Sequence, residues 1–236
     1  MSSVTDAQAR STRPLWMIVL SGAMIVGIAM GVRQGFGLFL PHISMDLSLG
    51  RETFAFAMAF ANLLWGFGAP FAGGLADKYG SLRIIMVGAC FYALGLYVLS
   101  GARTELDLLI FGMFVGLGVS ATGINAIVGA VGRAAPEDRR TKAITIVSMG
   151  SGVGMFAAIP YTHLLIENVG WQGSLVALAL TVLVMLPLAF VVGDKGTASL
   201  PRELQARIQP IGEALGEAFR LPRFWLLTVG FFVCGG

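Results

Sequence analysis

Apolar residues run along this chain in long blocks separated by short polar turns. Six runs stand out: Leu15–Leu40, Phe54–Ala76, Leu82–Ser100, Leu106–Gly132, Ala143–Ile166 and Trp171–Gly193. About 20 mostly apolar residues in helical form cross a hydrocarbon core of roughly 30 Å. Each run meets that length. None alternates apolar and polar at period two, which excludes the short strands of a membrane barrel. Backbone inside lipid must bond within its own segment, so the runs are predicted to be helices. The fold class expected is an all-α membrane protein with six spans over residues 15–193. A tail covers 1–14. The stretch 194–223 reads as a polar connection, and a seventh span starts at Phe224 and reaches the end of the chain in "FFVCGG". That ending reads as a truncation inside a helix; a natural half-sized protein that pairs with itself is the other reading.

Composition agrees with the pattern. Of the residues 56% are apolar and only 12% charged, against about 25% charged in a soluble domain. The few charges sort by side. Arg10, Arg13, Lys78, Arg83, Arg133, Arg139, Arg140, Lys142, Lys195, Arg202, Arg207, Arg220 and Arg223 fall on one side of the predicted spans; Arg51 and Arg103 fall on the other. Basic residues near span ends favour the cytoplasm, so the N-terminus and the turn after the second run are expected there. That placement accounts for the net charge of +3 without nucleic acid as a partner. Cys90 and Cys234 lie within spans and offer neither a disulfide framework nor metal spacing. Residues 194–223 include "LQARIQPIGEALGEAFRLPRF", with Ile211, Leu215 and Phe219 on one stripe, the pattern of an amphipathic surface helix or of a plain linker.

Arg33 is the only formal charge well inside a span. A charge there is costly in lipid, by at least about 2.5 kcal/mol, and faces a cavity or a partner. No acidic residue lies at comparable depth in a complete span. An anionic ligand would supply the partner, since guanidinium suits carboxylate. The alternative is that Arg33 snorkels to the nearby surface. Gln34, Asn62 and Asn125 are further candidates to line a cavity, or to bond between helices. Gly116, Gly118, Gly150 and Gly154, with Pro160, suit close helix packing or a surface that bends and slides. No metal cluster and no nucleophile–base constellation is present in the sequence, so neither a cofactor nor an enzyme is expected.

Between the second and third runs stands "GGLADKYGSLR". Gly73, Leu75, Asp77, Lys78 and Gly80 match a Gly-x-Leu-x-Asp-Lys/Arg-x-Gly pattern, with Arg83 as the trailing base. In pattern and position this resembles the cytoplasmic signature of the major facilitator superfamily. The resemblance implies that residues 15–193 are the N-terminal six-helix half of a transporter whose second half lies outside this chain. It implies two halves rocking about a midplane site, in a bacterial-type inner (plasma) membrane. It also implies a gating role for Gly73, Asp77, Lys78, Gly80 and Arg83. "GVRQGFGLFLPHISMDL", "APEDRRTKAITIVSMGSGVGMFAAIP" and "FWLLTVGFFVCGG" resemble the monocarboxylate-porter and oxalate/formate-antiporter branch. A Lys of monocarboxylate porters falls at Gln34, with Arg33 one residue earlier and about 100° around the helix. Gly112 stands where drug–proton antiporters of the superfamily usually carry an Arg. Expected partners are a small-molecule substrate, the lipid bilayer, the missing second half, and a coupling proton or counter-anion. A drug, sugar or metal-ion carrier, and a non-transporting receptor or assembly protein, are the alternatives.

Overall fold

The computed structural model describes residues 14–46 and 51–193. The connection at 194–223, with its amphipathic stripe, and the seventh run at 224–236 lie outside the described residues. Helix α1 covers Leu15–Gln34, α2 Phe36–Asp46, α3 Arg51–Tyr79, α4 Ser81–Ser100, α5 Glu105–Thr122, α6 Ile124–Ala134, α7 Glu137–Leu183 and α8 Met185–Val192. Among the described residues there is no strand. The first apolar run is α1 with α2, interrupted at Gly35, and the fourth is α5 with α6, interrupted at Gly123. Helix α7 has 47 residues, about 70 Å at helical rise and more than two core thicknesses. It divides at Gly170, whose φ of 73° and ψ of 171° are not helical. The fifth and sixth runs therefore meet at one residue, without a loop, because glycine alone occupies that left-handed φ readily.

The turn in "GGLADKYGSLR" is shorter than its eleven letters suggest. Ala76, Asp77, Lys78 and Tyr79 are the last turn of α3, and Ser81 opens α4. Only Gly80 is non-helical, with φ 98°, and its N–H donates to the Ala76 carbonyl at 3.0 Å. Lys78 sits favourably beside the negative end of the α3 dipole. At the opposite end of the bundle Thr104 and Asp107 form a capping box on α5. There the Thr104 N–H donates to Asp107 Oδ2 at 2.9 Å and the Asp107 N–H to Thr104 Oγ1 at 3.3 Å.

Packing is built on small residues. Between α1 and α7, a Cβ on Gly27 would stand 2.9 Å from the Gly150 carbonyl oxygen, and one on Gly154 only 2.1 Å from that of Gly27. Between α3 and α5, Gly112 faces the Ala57 carbonyl and Gly116 that of Ala61, each at 2.6 Å from where its Cβ would be. That register is a four-residue step on both helices, the spacing that lets backbones touch. Gly118 admits Tyr92 of α4, whose backbone N would lie 2.7 Å from its Cβ. Between these seams the core is filled by Ile25, Phe36, Phe39, Tyr92, Leu96, Phe111 and Leu178, all below 2% exposed. Phe36 meets Phe111 edge to face at a centroid distance of 5.4 Å.

Candidate functional site: a held arginine and a paired turn

Arg33 lies in the last turn of α1 and is half-buried. Two residues of α3 hold it. Its Nη2 donates to Asn62 Oδ1, and its guanidinium carbon lies 4.5 Å from the centroid of the Trp65 ring. Asn62 and Trp65 are three residues apart, so one face of α3 carries both. Trp65 in turn packs beside the break in the fourth run, its Nε1 3.6 Å from where a Gly123 Cβ would stand. One turn before Arg33, the buried Tyr92 hydroxyl donates to the Ala29 carbonyl at 3.1 Å. Helices α1, α3 and α4 and the start of α6 thus converge on this turn. Among the described residues no carboxylate pairs with Arg33.

Gln34 and Asn125 are exposed, and neither joins this cluster through a hydrogen bond to a described residue. Gln34 points about 100° away from Arg33 by helical geometry. Trp65 was not singled out by the sequence. Its signal was the three-residue step from Asn62, but an aromatic in an apolar run looks the same whether it faces lipid or a cation.

The second constellation lies at the α3–α4 turn. Asp77 forms an ion pair with Arg133 Nη1 of α6. Arg133 Nη2 also donates to the buried Ser81 Oγ at 2.7 Å. The end of the fourth run is therefore tied to both sides of the turn. Gly129, one helical turn earlier, leaves the room: a Cβ there would stand 3.3 Å from Arg133 Nη1. Lys78 Nζ lies 5.2 Å from the Tyr79 ring centroid. Arg83 is exposed, and a Cβ on Gly73 would meet nothing within 4 Å. In the sequence Arg133 counted only toward orientation; its bond to Asp77 spans 56 positions.

Gly116, Gly118, Gly150 and Gly154 stand at the backbone seams described above. Pro160 does not: it is exposed on α7, between Ala158 and Thr162, which face Gly31 and Gly35. A shallow groove of about 320 Å³ between α3 and α5 is lined by Phe56, Phe60, Leu106, Leu109, Ile110 and Met113. It has no polar lining, so it offers nothing to orient a charged ligand.

The family model described as Major Facilitator Superfamily matches residues 16–236. A "Putative metabolite transport protein" of Haemophilus influenzae is 31% identical over 63% of this chain and 38% of its own length. The 4-hydroxybenzoate transporter PcaK of Pseudomonas aeruginosa is 29% identical over 88% of this chain and 48% of its own. Monocarboxylate transporter 13 of Rattus norvegicus is 27% identical over 68% and 37%. The chain thus spans half or less of the length of these curated relatives. Among solved structures, a peptide transporter POT in complex with sulfate has a TM-score of 0.63 at 16% identity, covering 93% of this chain and 45% of that one. A mutant in complex with alafosfalin gives 0.62 at 17%, covering 92% and 48%. At those identities the likeness is one of fold.

Proposed function

The chain belongs to the major facilitator superfamily, and from that premise we propose that the whole protein is a secondary active transporter of small, monocarboxylate-like organic anions working by alternating access. One observation carries the anion: Arg33 is half-buried in an apolar span and is held by a neutral amide and an aromatic ring. Its charge is left for a ligand to neutralise, and carboxylate geometry suits it. The relatives named above support the class, because 4-hydroxybenzoate and monocarboxylates share that group. Asp77, Arg133 and Ser81 form the latch of one conformational state, closing the cytoplasmic side. The coupling partner is a proton or a counter-anion. No Asp or Glu lies deep in the six complete runs, so a proton carrier is placed in the second half.

Uptake of labelled L-lactate and 4-hydroxybenzoate by the full-length protein in proteoliposomes tests the substrate class. Arg33→Gln is expected to lower uptake at least tenfold, and Arg33→Lys to retain a part of it. Normal uptake of both compounds by Arg33→Gln removes the anion reading. Orientation is tested separately. Cysteines introduced at 103 and 140 should react with an impermeant maleimide from opposite faces of the membrane, and reaction from one face would invert the topology for one of the two ends.

A further inference from the structure

The way Arg33 is held says more than that it is charged. A guanidinium has only donors, so the Asn62 atom facing it must be the carbonyl oxygen. That assigns the amide without ambiguity. The Asn62 Nδ2, with two N–H donors, then points away from Arg33. Asn62 is exposed on the described bundle, so those donors stand at the same surface as the guanidinium. The Arg33 guanidinium carbon lies over the Trp65 ring, 4.5 Å from its centroid, while Nη2 bonds Asn62. Tyr92 fixes the preceding turn from the other side by bonding the Ala29 carbonyl.

We infer that Asn62 and Trp65 are positioning residues that prepare Arg33 for a carboxylate: Trp65 holds the guanidinium head in place, and Asn62 keeps it satisfied while adding a neighbouring amide donor. This rests on the anion reading proposed above. A carboxylate arriving at the site meets Arg33 N–H and Asn62 N–H donors side by side, in an orientation that no ligand had to induce. Freezing a long side chain in advance removes an entropic penalty from binding. The arrangement also explains how an intramembrane cation persists where no acidic side chain among the described residues pairs with it. The neutral amide occupies one N–H and leaves the charge to be neutralised by the cargo.

The sharpest test reverses the amide. Asn62→Asp keeps size and shape but replaces the donors by acceptors and places an anion on Arg33. The full-length protein should then carry an internal ion pair that competes with the cargo. KM for 4-hydroxybenzoate is expected to rise at least tenfold, with kcat changed less than threefold. Trp65→Phe, which keeps a ring face, should stay within threefold of the native KM, and Trp65→Leu should raise it about tenfold. A second readout needs no ligand. In thermal unfolding of the purified protein, Asn62→Asp should lower Tm little when Arg33 is present and markedly more in an Arg33→Gln background. Equal Tm losses in both backgrounds, or a native KM in Asn62→Asp, overturn the inference. If Arg33→Gln alone transports normally, the anion reading falls, and the Tm comparison still reports whether Asn62 holds Arg33.

Discussion

Gly154→Ala is expected to destabilise the bundle by about 3 kcal/mol or more, the upper range for overpacking a tight interior. The added methyl would stand 2.1 Å from the Gly27 carbonyl oxygen and 2.4 Å from the Gly27 Cα. Both obstacles are backbone, so no rotamer change relieves them. Helices α1 and α7 would have to separate, and the separation would propagate to Gly31, whose own Cβ position lies 2.6 Å from the Gly154 carbonyl oxygen. Gly152→Ala is the matched control two residues away. A Cβ there meets nothing within 4 Å, and relief of the glycine penalty inside a helix gives at most about 1 kcal/mol in the stabilising direction. Thermal unfolding of the two variants in the same detergent should separate them clearly. Equal melting points would mean that the α1–α7 seam yields, and that the glycines serve movement rather than fixed contact.

The second large effect concerns the Asp77–Arg133 pair at the α3–α4 turn. Reversing Arg133 to Asp should reduce transport at least tenfold while leaving membrane insertion unchanged. It sets two carboxylates against each other where Arg133 now pairs with Asp77. Asp77→Asn should act more mildly, roughly fivefold. The pair is solvent-accessible on this half, with side-chain exposures of 31% and 60%, and exposed pairs contribute only about 1 kcal/mol or less. A conformational equilibrium responds to a loss of that size only in proportion. The double reversal, Asp77→Arg with Arg133→Asp, should recover most of the activity. Ser81 tolerates the swap, since its hydroxyl now accepts from Arg133 and can donate to a carboxylate. Failure of the double variant to recover, with each single variant inactive, would show that the side chains act separately and not as a pair.

These expectations divide by how far along the chain their causes reach. The spans are legible because lipid imposes length and apolarity on each segment alone. The single-residue turn at Gly80 is nearly as legible, since glycine after a charged helix end is a local signal. The join of the fifth and sixth runs is less so. Residues 167–170 fall between two apolar runs, yet the backbone stays helical on both sides of Gly170. One left-handed residue redirects the chain, and nothing local says that a longer loop is unnecessary.

The two constellations show the boundary more sharply. Arg33 and Asp77 are conspicuous in the sequence because each is a charge in an unusual setting. Their partners are not. Asn62 lies 29 positions from Arg33 and Arg133 lies 56 from Asp77. Gln34, adjacent to Arg33 and polar, looked as good a cluster member as Asn62, but the helical step turns it away. Pro160 sits in the same small-residue stretch as Gly154 and is exposed.

By itself the sequence determined the solvent of each segment, the class of fold and the identity of the buried charge. Those follow from one-body terms: the cost of placing a residue in lipid depends on that residue and its near neighbours. Only the tertiary structure decided which groups meet that charge, which glycines touch backbone, and which arginine closes the turn. Those are two-body terms between helices, set by a packing register in which a single added methyl at Gly154 decides whether α1 and α7 can approach at all.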